Sequence, residues 1–325
     1  MCYELCIICL ILIIFFAANT VVVSSFSPLP ITFIYDHYLA LITASTLFSA
    51  ILSVFVYVKS FLPGALLAEG GVSGNSIYDF FIGRELNPRL GSLDIKEFCE
   101  LRPGLIGWFV INLGMAAKQM QNTGSVSLSM LLINVFQGFY VWDGLHAEKS
   151  ILSTMDITTD GFGFMLAFGD LAWVPFIYSL QARYLVDHDP ELDVITIGTI
   201  VLLQCFGYYV FRAANSEKDA FRRNPEDPRV SHLTYLKTKR GTRLITSGWW
   251  GLARKINYTG DWIMTFSWCL LCGWQSPVPY FQAVYFLILL VHRAIRDDKM
   301  CHEKYGDDWI EYKRRVPYAF IPYVV

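Results

Sequence analysis

The chain has 325 residues, of which 54% are hydrophobic, 16% aromatic and only 17% charged, and its mean hydropathy is +0.41. About a quarter of the residues of a soluble domain are charged, and several runs here approach the roughly 20 apolar residues that cross a bilayer, so the composition excludes a soluble domain and indicates a polytopic membrane protein. The net charge of −2 carries little, but of the 26 Lys and Arg, 8 precede position 211 and 18 follow it, which assigns the loops after Phe211 and the C-terminus to the cytoplasmic side.

Residues 3–23 predict a first spanning helix, because the run lacks a basic leader and is too long for the apolar core of a signal peptide. Residues 38–58 predict a second, ending at Lys59. Residues 63–104 form a charged connector punctuated by Gly, Pro and Asn. A loop of this length is rarely structureless, so short amphipathic pieces packed on the membrane face are expected. Two more helices follow at 104–121 and 127–145, with a turn at Asn122–Gly124. The second carries Asn134, Gln137, Tyr140 and Asp143 at spacings of three. Such a polar stripe on an apolar helix faces a bundle interior or a water-filled cavity, or hydrogen-bonds to neighbouring helices.

Residues 151–184 do not read as a plain span. Asp156, Asp160 and Asp170 interrupt the run, and Gly161, Gly163, Gly169 and Pro175 break it. Irregular backbone at membrane depth is tolerated only where protein or a cavity covers it, so a cavity is expected here. The Gly161–Gly163 pair is not a dinucleotide fingerprint, since no strand precedes it. Residues 192–211 predict an ordinary helix ending at Arg212. Residues 212–243 read as a basic loop in which Lys218 and Arg222 are four apart. Arg254, Asn257, Tyr258 and Asp261 then precede an apolar hairpin at 262–274 and 278–293, and His292, Arg293, Arg296 and Asp297 close it. Arg293 and Asp297 share a helical face, where they hold one ligand or each other. Taken alone, the basic loop needs no function; beside the arginines at 254, 293 and 296 it points to a phosphate site, since Lys offers a point charge and Arg a bidentate fork.

In the tail, Tyr305, Trp309, Tyr312 and Val316 fall on one face of an amphipathic helix expected to lie at the membrane interface. The eight cysteines show no framework. The Cys269–Cys272 pair lies in an apolar segment with no second ligand pair, so packed thiols rather than a metal are expected. The glycosylation-type triplet at Asn257 is silenced by its cytoplasmic assignment.

From about Gly74 to the end, long blocks of this chain resemble one enzyme family. They are "GRELNPRLGSLDIKEFCELRPGLIGW", "TMDITTDGFGFMLAFGDLAWVPFIYSLQARYL", "GYYVFRAANSEKDAFRRNP", "SGWWGLARKINYTGD" and "LLVHRAIRDDKMCHEKYGDDWIEYKRRVPYAFIPY". They resemble the sterol reductases, a family that includes sterol delta-14 reductase, the lamin B receptor, 7-dehydrocholesterol reductase and the sterol carbon-24(28) reductase. The blocks "DGFGFMLAFGDLAWVPF" and "FRRNPEDP" are most similar to the delta-14 branch. The resemblance implies an NADPH-dependent reduction of a sterol double bond, in the endoplasmic reticulum or nuclear envelope. It implies cofactor-binding roles for Lys218, Arg222, Trp250, Asn257, Arg293, Asp297 and Tyr305. It also implies that Tyr140, with Asp143, faces the sterol. The implied reaction protonates the alkene at carbon 15 and adds hydride to the cation at carbon 14; the polar stripe offers Tyr140 as the acid, with Asp143 or Glu148 to orient it, or as a helix–helix hydrogen bond.

Two departures stand out. The family commonly has histidine where this chain has Lys255, and proline or an apolar residue at Ile256. About a hundred residues that precede this region in a typical member are not matched here, so either the form is naturally short or its N-terminus is incomplete. Reduction of another sterol double bond, an isoprenylcysteine-type methyltransferase with a similar C-terminal pattern, and a non-catalytic membrane scaffold remain the alternatives. The absence of an inverted repeat disfavours a transporter. The expected fold is all-α, a bundle of about eight spanning or re-entrant helices with an interfacial C-terminal helix. The expected organisation is two N-terminal helices (1–60), a membrane-face connector (61–103), sterol-cavity helices (104–211) and an NADPH-binding membrane region (212–325). A sterol and membrane lipid are the expected partners, with no nucleic acid.

Overall fold

The computed structural model describes residues 30–152 and 154–324; the helix expected at 3–23 lies outside them. The chain forms two compact units, one up to His188 and one from Asp189. Both are mostly helical, with little strand among the described residues. Among the described residues, four helical stretches are long and apolar enough to cross a membrane: Tyr38–Lys59, Phe164–Leu185, Val194–Arg223 and Val278–Tyr305. The helices at 107–123 and 128–146, expected to span, are not among them.

In the first unit, α1 (Tyr38–Lys59) shows its apolar residues outward and its small ones inward. Leu47, Phe48, Ile51, Val54, Phe55 and Val58 are exposed, while Ser49 and Ser53 are fully buried. That inversion belongs to a helix solvated by lipid, where small residues let backbones approach. The Ser49 hydroxyl lies within hydrogen-bonding distance of the Ala167 carbonyl, at 3.2 Å. The connector supplies the short pieces expected of it. These are α2 (Ser76–Ile82), the two-residue strands β1 (Arg89–Leu90) and β2 (Leu93–Asp94), and α3 (Ile95–Cys99). Asn75 caps α2 by accepting from the amides of Ile77 and Tyr78, and Asp94 caps α3 by accepting from that of Glu97; such side-chain oxygens satisfy the orphan amides of a first turn.

A π-helical stretch, Glu100–Ile106, carries α3 into α4 (Gly107–Thr123), and α5 (Leu128–His146) returns beside it. The broken segment resolves into α6 (Phe164–Phe168), a second π turn (Gly169–Trp173), α7 (Val174–Ile177) and α8 (Leu180–Leu185). Its glycines have a packing reason. Gly83 has φ +101°, and a Cβ placed on Gly161 would lie 1.9 Å from the Gly83 carbonyl oxygen, and one on Gly163 2.3 Å from the Gly83 nitrogen. Two backbones cross there in direct contact, and the Phe162 amide donates to the Glu85 carbonyl at 2.9 Å. Lys96, wholly buried, pins the same crossing: its ammonium donates to the carbonyls of Asp160 at 2.6 Å and Ile157 at 3.2 Å. Burial lowers the Lys96 ammonium to about 8, against the pull of nearby carboxylates led by Asp160.

The second unit is organised on α9 (Val194–Arg223) and α11 (Ile256–Leu270). They meet at a glycine pair: a Cβ on Gly260 would lie 2.7 Å from the Gly207 carbonyl. Gln204 braces the contact, its carbonyl accepting from Ser267 at 2.7 Å and from Trp268 at 3.0 Å. α9 is longer than expected. Instead of ending near Arg212 it runs to Arg223, because "AANSEKDAF" lacks any breaker until Asn224 and Pro225. The remainder of the expected basic loop contains a hairpin, β3 (Tyr235–Lys237) with β4 (Arg243–Ile245). After α10 (Gly248–Leu252) and α11 come α12 (Phe281–Tyr305) and α13 (Asp307–Arg315). The aromatic face assigned from sequence to the membrane interface is buried here: Trp309, Tyr312 and Val316 pack with Leu236 and Leu244 of the hairpin.

Candidate functional site

The second unit contains a cleft lined by Lys218 and Arg222 of α9, Arg243 of β4, Trp250 of α10, Arg254 and Lys255, Asp297, Cys301 and Tyr305 of α12, and Trp309 and Tyr312 of α13. Each wall is held in place locally. The Trp250 indole donates to the Ala214 carbonyl at 2.7 Å, and the Lys218 ammonium sits 4.0 Å from the centre of its ring. Lys218 and Arg222 stand one turn apart near the C-terminus of α9, where the helix dipole favours cations. α13 is tied to α12 by Asp298, which accepts from the Trp309 indole at 2.9 Å and pairs with Lys313 at 3.1 Å. Arg254 is turned away onto the tail, donating to the carbonyls of Val316 at 2.6 Å and Pro317 at 2.7 Å. Lys255 forms an ion pair with Asp297. Burial pushes the Tyr312 phenol up to about 12, so it lines the cationic cleft as a hydroxyl.

Five of the seven residues expected to bind a cofactor, Lys218, Arg222, Trp250, Asp297 and Tyr305, line this one cleft. Asn257 and Arg293 are not among its lining residues. Asn257 donates to Asn215 at 3.2 Å, and its carbonyl oxygen is buried without a hydrogen-bond partner. Arg293 stands one turn before Asp297 on α12, and Asp297 pairs with Lys255. The expected site did not include Arg243, Cys301, Trp309 or Tyr312. The aromatic face of α13 is visible in the sequence, but its hairpin partner is not, because β3 and β4 have only three residues each. The donor set suits a dinucleotide phosphate: cations for phosphates, aromatic faces for rings, and an unsatisfied buried amide oxygen nearby.

In the first unit, the expected stripe on α5 is largely buried. The Gln137 carbonyl accepts from the Trp108 indole at 3.1 Å and from Asn112 at 2.6 Å, and its amide donates to Gln181 at 3.3 Å. Gln137 is therefore a helix-to-helix bond, the bland alternative for this stripe. Asn134 turns its amide to the Met130 carbonyl at 2.9 Å. Tyr140, one turn on, is half-buried, its ring 6.0 Å from that of Trp108, and Asp143 is buried. Glu148 is engaged by Arg102 at 3.5 Å.

The profile of the ergosterol biosynthesis ERG4/ERG24 family matches residues 1–325. The chain belongs to that family. A Delta(14)-sterol reductase of Schizosaccharomyces pombe is 55% identical over 293 residues, which is 90% of this chain and 69% of that protein. One of Mus musculus is 55% identical over 88% of this chain and 69% of its own length. The Delta(14)-sterol reductase LBR of Gallus gallus is 53% identical over 89% of this chain, which spans 46% of it. Identity near one half across nine tenths of the chain takes in most of both units.

Proposed function

We propose that this protein is an NADPH-dependent delta-14-sterol reductase. The observation that carries the reading is the 55% identity over 90% of the chain with a protein of that name. The cleft supports a phosphorylated dinucleotide. Lys218 and Arg222 would hold phosphate, Trp250 and Tyr305 offer faces for rings, and Asp297 and Asn257 offer oxygens to hydroxyl or amide groups. Arg293 would add a fork from the same helix. When bound, the nicotinamide supplies hydride. The chain supplies the proton, from the Tyr140 hydroxyl to carbon 15 of the sterol, with Asp143 orienting the phenol. The cation at carbon 14 requires that water be kept from the bound sterol. Carbon 14 gains hydride and carbon 15 gains the proton, so the double bond is saturated with no other atom transferred.

The reading includes a bundle of about eight spanning or re-entrant helices in the endoplasmic reticulum, with the tail cytoplasmic. The distribution of Lys and Arg supports that orientation, and protease added to sealed microsomes should remove a C-terminal tag. Membranes carrying the protein should convert a delta-8,14 sterol to its delta-8 product with NADPH. A sterol profile unchanged after incubation would refute the proposed activity. In the same assay Lys218→Met should raise the KM for NADPH more than tenfold while leaving the weak use of NADH unchanged, since a hydrogen bond to a charged group is worth about 1.5–3 kcal/mol. Equal loss with both cofactors would remove Lys218 from recognition of the extra phosphate.

A further inference from the structure

The Lys255 side chain does nothing for the helix that it begins. It is the N-cap of α11, with no side-chain capping bond, at a position where Ser, Thr, Asp or Asn stabilises and a cation is opposed by the helix dipole. Its backbone amide is engaged with the Ala319 carbonyl at 2.7 Å, a bond that any residue except proline would make. What fixes the side chain is Asp297: the lysine side chain is 16% exposed, the aspartate side chain 32%, and the two are paired inside the cationic cleft. Of the five cations that line the cleft among the described residues, Arg254 is committed to the tail carbonyls and Lys218 stacks on Trp250. Asp297 is the one carboxylate in that lining among the described residues. It sits where an anion is favoured, against the Lys255 ammonium in a lining with four further cations.

From this geometry we infer that Lys255 is a phosphate-binding residue of the cleft that Asp297 holds while no nucleotide is bound. Asp297 acts as an internal stand-in for the ligand's phosphate, and a nucleotide phosphate takes Lys255 from it. Lys255 thereby sets phosphate affinity, and the carboxylate sets how much of that affinity is spent on opening the pair. This rests on the reading of the cleft as a nucleotide site.

The test uses the full chain in detergent, with adenosine 2′,5′-bisphosphate and ADP as probes, which carry no nicotinamide. Wild-type protein should bind at least one of them; binding of neither would remove the nucleotide reading of the cleft and this inference with it. Lys255→Met should weaken binding at least tenfold. A loss confined to the bisphosphate identifies the 2′-phosphate as the partner, and a loss shared with ADP identifies the 5′ side. Asp297→Asn should strengthen binding of the same probe at least threefold, because the competing negative charge is gone while the side-chain oxygen offered to the ligand's hydroxyl groups remains. Lys255→His should bind like wild type at pH 5.5 and like Lys255→Met at pH 8, as imidazole loses its charge near pH 6.5. The groups facing this position are Lys218 and Arg222 from α9, Asp297 and Cys301 from α12, Tyr312 from α13, and the neighbouring Arg254 and Tyr258. They are common to both proteins, so the ratio of the variant to wild type isolates residue 255. Wild-type affinity in Lys255→Met for both probes, or weaker binding in Asp297→Asn, overturns the inference while leaving the nucleotide site standing.

Discussion

Replacing Gly161 with alanine should prevent the first unit from folding. The added methyl would lie 1.9 Å from the Gly83 carbonyl oxygen and 2.5 Å from its carbon. Both are backbone atoms, so no side chain can swing aside. The two strands of chain would have to separate, which would stretch the Phe162–Glu85 hydrogen bond and draw the Lys96 ammonium off the Asp160 carbonyl. Ordinary overpacking costs about 1–3 kcal/mol. This substitution adds backbone displacement and a buried ammonium losing its acceptors, against a total stability of about 5–15 kcal/mol. The expected result is loss of the monodisperse peak in size-exclusion chromatography. Gly169→Ala is the control: a Cβ there would meet nothing within 4 Å, and in a helical turn alanine should be neutral or stabilise by about 0.5–1 kcal/mol. If Gly161→Ala gave a normal elution peak and melted within a few degrees of wild type, the crossing would not be as tight as the structure shows.

Those glycines illustrate how much of the fold the sequence discloses. Their positions as breaks in an apolar run are evident, but the partner that makes them necessary, Gly83, lies 78 positions from Gly161, and no periodicity links the two. Local capping is readable in the same way that it operates: Asn75 and Asp94 precede short helices and accept their first amides. The end of α1 at Lys59 is readable because a charge stops an apolar run. The extent of α9 is not, because hydropathy drops at Arg212 while the helix continues. Helical propensity is indifferent to whether a turn sits in lipid or in water, and the chain stays helical until Pro225 stops it. That extension places Lys218 and Arg222 on a helix one turn apart rather than in a loop, which is why they line one wall.

The candidate site is legible where like charges cluster and obscure where opposite charges meet. Arg293 and Asp297 share a face of α12, and spacing alone leaves open whether they hold each other. The structure gives Asp297 to Lys255, forty-two positions earlier and on another element. Spacing along one helix cannot rank that partner, since the competition is settled by which element packs opposite. The polar stripe on α5 shows the same limit from the other side. Its period is plain, but residues on one stripe meet different neighbours: Gln137 faces the indole and amides of Trp108, Asn112 and Gln181, whereas Asn134 folds back on its own helix.

Tyr140→Phe should reduce sterol turnover about 100-fold or more, the size expected when a general acid is removed, with NADPH binding unchanged. A free phenol has a pKa of about 10, so it carries its proton at neutral pH and can donate it to an alkene carbon held within hydrogen-bond reach. Tyr140 follows the buried Gln137 by one turn, and that residue's three bonds to α4 and α8 fix the register of the helix on which the phenol stands. The ring of Trp108 lies 6.0 Å from that of Tyr140 and is itself backed, edge-on at 5.2 Å, by that of Tyr178. Two carboxylates are proposed to orient the Tyr140 phenol: Glu148, which is paired with Arg102, and Asp143, which is buried one turn further along the stripe. Asp143→Asn should accordingly lower turnover less than Tyr140→Phe does. Because the two residues act as a unit, the double variant should be little worse than Tyr140→Phe alone. A purely structural hydroxyl predicts a different pattern: Tyr140→Phe would lose about 1 kcal/mol of stability and keep its turnover per folded molecule. Measuring kcat on purified, folded protein alongside its melting temperature separates the two. A Tyr140→Phe protein that melts normally, binds NADPH and reduces the sterol at the wild-type rate would assign the proton to another group.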